Sequence, residues 1–233
     1  MQKISVISGG SSGLGLEIAE LLIKAGKNVL ILGRNIRNLE SSIRRLDKSA
    51  EVNKAMALEC NIGDENDVKN VCNYISDNKY ITEYLFNNAG IGLFANAGAS
   101  TSAMIDQVFE ANVKGMILLT SAILRITPDE EELTIVNIMS TSALHGRAEE
   151  TIYCAAKFGA RGFTEALRTE LKGTKRNIIA VYPGGMKTDF WKANKHRDIS
   201  GFMEPSDVAG QIVNAVVDSK GLIVSDITIN RKK

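Results

Sequence analysis

Tyr153 and Lys157 stand in the run Tyr153-Cys154-Ala155-Ala156-Lys157, an i to i+4 spacing that puts phenol and ammonium on one helix face, where both can act on one ligand. A free tyrosine has a pKa near ~10, too high for a good proton relay at neutral pH, and a close ammonium favours the phenolate. The pair therefore predicts acid/base chemistry at a Tyr153 whose pKa is lowered. Ser140 ends a strand-like run upstream, and carboxyl ends of strands are where open α/β sheets hold ligands. Its hydroxyl could hold a carbonyl oxygen. Each feature is common alone, and the combination carries the weight.

A second constellation lies near the N-terminus. Ser8-Gly9-Gly10-Ser11-Ser12-Gly13-Leu14-Gly15 follows the first strand-like run and opens a helix-like one, which aims backbone N–H groups and a helix dipole at an anion. Gly9 suits a positive φ, Gly13 admits a diphosphate to the main chain, and Gly15 lets the helix pack closely, although a plain tight turn would use similar residues. After the second strand comes Gly33-Arg34-Asn35, with no acid to bind ribose hydroxyls and repel a 2′-phosphate. Arg34 offers a planar cation for adenine and that phosphate, with Asn35 and Arg37 as further donors, which favours NADP(H) over NAD(H). The alternative is a solvated arginine at a helix start.

In order and spacing these motifs resemble the short-chain dehydrogenase/reductase family, of the short-subunit type, over essentially the whole chain. Ser8-Gly9 with Gly13 and Gly15 matches its cofactor turn, with Ser for the usual Thr, and Asn87-Asn88-Ala89-Gly90 matches the motif ending the fourth strand. Asn112, Ser140, Tyr153 and Lys157 match the four catalytic positions, and Pro183-Gly184-Gly185-Met186-Lys187-Thr188 matches the segment after the sixth strand. The resemblance implies a Rossmann fold and a hydride passing between nicotinamide and a carbonyl or alcohol carbon, with Tyr153 moving the oxygen's proton. It also implies Lys157 on the nicotinamide ribose, Ser140 on the substrate oxygen and Asn112 on a relay water. Ser8, Gly9, Ser11, Ser12, Gly13, Leu14 and Gly15 would serve the cofactor, as would Asn88, Ala89, Gly90, Pro183, Gly184, Met186 and Thr188. Asn87 and Asn88 read equally as side chains that bond a strand-end backbone.

One departure is Cys60-Asn61-Ile62, which stands where relatives often carry an Asp for the adenine amino group; the Asn61 amide oxygen could accept the same bond. Ile62 would border the same cofactor. Cys72 and Cys154 read as small packing residues. A catalytically silent dinucleotide sensor or scaffold is the competing reading, and the intact Ser140, Tyr153 and Lys157 favour an enzyme. Fold analogy names no substrate beyond a small carbonyl or alcohol.

These residues need elements to position them. Runs rich in Ile and Val at 3–8, 28–33, 54–60, 82–87, 133–139, 177–182 and 222–228 predict seven strands buried on both faces. Helical periodicity covers 13–25, 35–48, 64–77, 101–126, 151–172 and 206–219. The alternation predicts an α/β fold, a doubly wound parallel seven-stranded sheet with helices on both faces. A chain of 233 residues, 44% apolar and 24% charged, suits one domain. A net charge of +1 gives no basic excess for nucleic acid, and no apolar run reaches the ~18 residues of a membrane span.

The first residues enter a strand with no signal-peptide pattern, and three cysteines lack metal-site spacing, so a cytoplasmic protein without a bound metal is expected. Apolar residues on the 101–126 and 151–172 helices, among them Phe109, Ile117, Phe158 and Phe163, predict a homo-oligomer, a dimer or tetramer, through the helix pairing that the resemblance implies. Residues 189–204 read as a short mobile lid, its apolar contacts supplied by Phe190, Trp191, Phe202 and Met203. Lys187, Lys192, Lys195 and Arg197 outnumber Asp189 and Asp198 there, which reads as a solvated basic face or as an attraction for an anionic substrate.

Overall fold

Successive strand residues point to opposite sides of a sheet, so a strand apolar at every position needs a helical layer on each side. The computed structural model, which describes residues 1–49, 53–194, 197–217 and 222–232, has that arrangement. Seven strands, β1 (Gln2–Ser8), β2 (Val29–Gly33), β3 (Ala55–Glu59), β4 (Tyr80–Asn87), β5 (Leu133–Ile138), β6 (Arg176–Pro183) and β7 (Asp226–Ile229), run in the order β3-β2-β1-β4-β5-β6-β7. Every pairing is parallel.

The period of two sorts the core. Ile7, Val29, Ile31, Val136 and Val181 pack with α1 (Gly13–Lys24), α2 (Ile36–Leu46) and α7 (Pro205–Val217) on one face. Their neighbours Val6, Leu30, Leu32, Ile135 and Ile178 pack with α3 (Glu65–Asp77), α5 (Gly115–Ile126) and α6 (Thr151–Glu170) on the other. Fully burying one such side chain stabilises by about 1.5–3 kcal/mol, so both layers are fixed by the strands themselves. Helix starts are set locally: Asp64 accepts from the Asn66 and Asp67 amides, and Asn35 from the Asn38 amide.

β1 is followed by β2 on one side, while β4 joins it on the other, so the chain changes direction across the sheet between β1 and β4. Such a switch point leaves a crevice at the strands' carboxyl ends. A buried polar chain braces the sheet beneath it: Asn87 Nδ2 donates to Thr120 Oγ1 and to Asn137 Oδ1, both at 2.8 Å, and Asn137 Nδ2 donates to Thr164 Oγ1 at 2.9 Å. The chain ties β4 and β5 to α5 and α6, so Asn87 braces the sheet through side chains rather than through the strand-end backbone bond expected of it.

Two expected elements differ. The helix expected over 101–126 is α4 (Ser102–Phe109) and α5 joined by a π-helical turn at Glu110–Lys114. Asn112 accounts for the break, because its Nδ2 donates to the Val108 carbonyl, four residues back, and to the Ile91 carbonyl, both at 2.9 Å. The last strand begins at Asp226 rather than 222: β6 meets it from Ala180 onward, and Leu222 and Ile223 lie 74% and 81% exposed. Residues 218 and 219, expected to end the last helix, lie outside the described residues. No described helix is long and apolar enough to cross a membrane.

Candidate active site

The loops after β1, β2, β4, β5 and β6 all open at one end of the sheet and line a cleft of about 840 Å³. At one end of it, Gly9 adopts φ +66°, and a Cβ there would come within 2.9 Å of the Ala89 Cα, so the turn after β1 lies directly on the loop after β4. Asn88 Nδ2 fastens the contact through the Ser8 and Gly9 carbonyls at 3.0 and 3.1 Å. Gly9, Ser11, Ser12, Gly13 and Leu14 line the cleft. Ser8 and Gly15 lie beneath it: the buried Ser8 hydroxyl accepts from the Asn88 and Ala89 amides, and Gly15 packs against the Gly9 carbonyl.

Arg34 is exposed on the cleft wall and makes no hydrogen bond or ion pair among the described residues. Asn35 spends its amide oxygen on capping α2, which leaves only its Nδ2 as a donor. Asn61 and Ile62 reach the wall too, but Asn61 Oδ1 accepts from the Gly63 amide at 3.2 Å and its Nδ2 faces Glu110 at 3.4 Å. The oxygen expected to accept from adenine is thus already engaged in its own loop. Ala89 and Gly90 follow, then Pro183, Gly184, Met186 and Thr188 from the other side.

Ser140, Tyr153 and Lys157 meet at the cleft's centre. Ser140 follows β5, and its Oγ accepts from the Ser142 amide at 3.1 Å. Tyr153 is buried and within hydrogen-bonding reach of the Ser140 side chain. Lys157, one helical turn on, is buried with its Nζ donating to the Ile138 carbonyl at 3.3 Å. Asn112 stands behind them, its Oδ1 buried without a partner among the described residues and 2.5 Å from where a Cβ on Gly90 would lie. The three residues expected from type and spacing, and Asn112, which the resemblance adds, therefore line one cleft.

Their electrostatics depart from expectation. Burial holds the Tyr153 phenol above its ordinary pKa, opposed by the Ser140 hydrogen bond and the Arg147 charge. The lowering expected from Lys157 does not prevail, because that ammonium lies 5.7 Å from the ring centre and is itself desolvated, with its pKa lowered to about 8. The Tyr153 phenol is thus held in its protonated form at neutral pH. Burial raises the Cys72 thiol and Cys154 is buried, which fits the packing role expected of these two; Cys60 is buried as well, and burial pushes its thiol up to about 12.

The segment after β6 covers this centre. Phe190 sets its ring 5.3 Å from that of Tyr153, and Trp191 stacks on Phe94 at 5.2 Å and 19°. Trp191 Nε1 donates to the Met186 carbonyl, and the segment's ends are joined where Lys187 N meets Met203 O and Met203 N meets Gly185 O. The lid expected to be loose is thus anchored at its base. Lys195 lies outside the described residues. Phe94, Arg147 and Glu150 also belong to this site and escaped the sequence reading; the signal for the last two was position alone, between Ser140 and Tyr153.

Residues 3–198 match the family model described as short chain dehydrogenase. The sepiapterin reductase of Chlorobaculum tepidum is 28% identical over 98% of this chain and 96% of its own, and a human 3-oxoacyl-[acyl-carrier-protein] reductase is 28% identical over 91% and 90%. A solved short-chain dehydrogenase/reductase from Vibrio parahaemolyticus superposes with a TM-score of 0.86 at 33% identity, covering 99% of this chain and 100% of that one.

Proposed function

Because the chain belongs to the short-chain dehydrogenase family, a family of oxidoreductases, we propose that it is an NADP(H)-dependent enzyme interconverting a carbonyl and a secondary alcohol, with Tyr153 as general acid and base. The observation that carries this reading is the meeting of Ser140, Tyr153 and Lys157 in the cleft whose far wall bears the unpaired Arg34.

The residues fit a nicotinamide dinucleotide. The turn after β1 gives a diphosphate access to backbone N–H groups at the α1 N-terminus, and Arg34, with no carboxylate at Gly33, favours a 2′-phosphate. The cofactor, when bound, supplies or accepts the hydride. Ser140 orients the substrate oxygen, and the protonated phenol of Tyr153 gives it a proton as the carbonyl becomes an alcohol, or takes that proton back in the reverse direction. Lys157 holds a ribose hydroxyl, and the unpartnered Asn112 oxygen holds the water through which Tyr153 is reprotonated. Phe190 and Trp191 exclude bulk water from the reacting carbon.

The whole chain serves as one catalytic domain with residues 189–204 as its lid. Ile105, Phe109 and Phe158 are exposed apolar residues on α4 and α6 and support a homo-oligomer across that face; Phe163, expected beside them, packs partly buried against the core. Three free cysteines suit the reducing cytoplasm.

Tyr153→Phe keeps the ring and removes the proton donor. It should lower kcat by at least about a hundredfold on any carbonyl the wild type reduces, with NADPH affinity within about twofold. Wild-type turnover by that variant would refute the mechanism, and a wild type that binds NADPH but turns over nothing in a broad carbonyl and alcohol panel would favour the silent sensor.

A further inference from the structure

Among the described residues, the basic side chains of the lid are met by acids within the fold. Lys187 pairs with Glu204 at 2.6 Å and Lys192 with Asp189 at 2.7 Å. Arg197 faces Glu150 at 3.9 Å, and its guanidinium lies 5.3 Å from the centre of the Trp191 ring. Besides Arg34 and the buried Lys157, a further cation of the same cleft lacks an acid among the described residues. Arg147, in the loop between Ser140 and α6, donates from Nη2 to the Thr141 hydroxyl at 2.9 Å and makes no ion pair among the described residues. Glu150, the acid on this wall, is taken by the Ser142 hydroxyl at 3.0 Å and faces Arg197.

Thr141 adjoins Ser140, so the guanidinium is tethered one residue from the hydroxyl that holds the substrate oxygen. Its charge reaches the Tyr153 phenol and opposes the effect of burial, while the charge of Glu150 acts there more strongly in the other sense. A neutral hydroxyl is a weak partner for a planar fork of donors, whose best complement is a carboxylate bound through two parallel hydrogen bonds. Space above the phenol is small as well: Phe190 lies against Tyr153 and fills the side of Gly92, where a Cβ would come within 2.4 Å of its ring.

Resting on the reading of Ser140 and Tyr153 as the carbonyl-binding pair, we infer that Arg147 is an anion subsite and that the substrate is a small oxo or hydroxy acid, its carboxylate on Arg147 and its reacting oxygen on Tyr153. The reaction is the hydride and proton exchange already described, with the carboxylate taking no part in bond making. The charge selects the substrate and fixes which end faces the phenol.

The test sets a series of short 2-, 3- and 4-oxo acids beside their methyl esters, with NADPH, on wild type, Arg147→Gln and Arg147→Lys. Wild type should prefer at least one acid over its ester by about tenfold or more in kcat/KM. Arg147→Gln should cut that preference about tenfold to a hundredfold, mainly through the acid's KM, and Arg147→Lys should restore part of it. The influence of Arg147 on Tyr153 falls on acid and ester alike, so the ratio isolates the subsite. Equal use of acids and esters by wild type, or a ratio unchanged in Arg147→Gln, would overturn the inference. If no compound here or in the broad carbonyl and alcohol panel is turned over, hydride transfer to carbonyls is the reading that fails, and fluorescence of Trp191, the chain's one tryptophan, decides the subsite. A saturable change with the acids, absent with the esters and lost in Arg147→Gln, upholds it; no such change with any acid overturns it.

Discussion

The Lys157 ammonium lies 5.7 Å from the centre of the Tyr153 ring, and burial drives the two groups in opposite directions along the pH scale. It lowers the lysine to about 8 and raises the phenol above its ordinary value, so the lysine sheds its proton first as pH rises. An isolated pair in water would do so nearly together. The phenol thus stays protonated across the neutral range, which suits the carbonyl reduction proposed above.

A buried ammonium costs stability. Lys157→Met should raise the melting temperature at neutral pH by about 2–6 °C, for a gain on the order of 1–2 kcal/mol, while removing turnover. The sign with pH follows from the lowered pKa: between about 8 and the ordinary 10.5 the unfolded chain binds more protons than the folded one, so wild-type stability gains with pH in that window. The advantage of the variant should therefore shrink across the same window. Calorimetry at neutral pH and near the upper end checks it, and a constant difference would show that Lys157 is not buried as a cation.

The proposed preference for NADP(H) over NAD(H) rests on Arg34. Arg34→Gln should weaken NADPH binding by about tenfold to a hundredfold, the worth of a charge-assisted contact to phosphate, and change NADH binding by less than about threefold. Fluorescence titration of both cofactors reads this directly. Equal affinities of the wild type for NADPH and NADH would remove the assignment.

Phe158 is 45% exposed on α6, Ile105 and Phe109 are exposed on α4, and the two helices pack together, so that a shared apolar patch would be covered by a second copy. Sedimentation at micromolar concentration should give a mass of two or four 25.3 kDa chains, and Phe158→Glu should shift it to one while leaving the circular dichroism spectrum unchanged. A wild-type monomer would refute the proposed assembly.

The lid is tied at its base and exposed further along, where the Lys192 side chain is 75% accessible. Trypsin should cut the free protein after Lys192 or Arg197, and saturating NADPH should slow that cut severalfold, because Thr188 borders the cofactor cleft. Equal rates with and without NADPH would separate the lid from the cofactor.

What the sequence by itself determined was whatever depends on local spacing. Unbroken Ile and Val runs between helical periods imply a parallel sheet covered twice, because no other arrangement buries both faces of Val29–Leu32 or Ile178–Val181. The glycine turn, the Tyr-x-x-x-Lys step and the absence of an acid after β2 are legible for the same reason, each being a relation within a few residues. The tertiary structure alone decided relations between distant ones. The Asn112 amide reaches the Ile91 carbonyl and opens a π-helical turn that periodicity does not register. Asn61 is engaged by Gly63 and Glu110, Phe94 is stacked on Trp191, and Arg147 is left without an acid because Glu150 faces Arg197. Above all, the direction of the Tyr153 shift depends on how much water every surrounding element removes, and that sum over the whole fold outweighs the one ammonium visible four residues away.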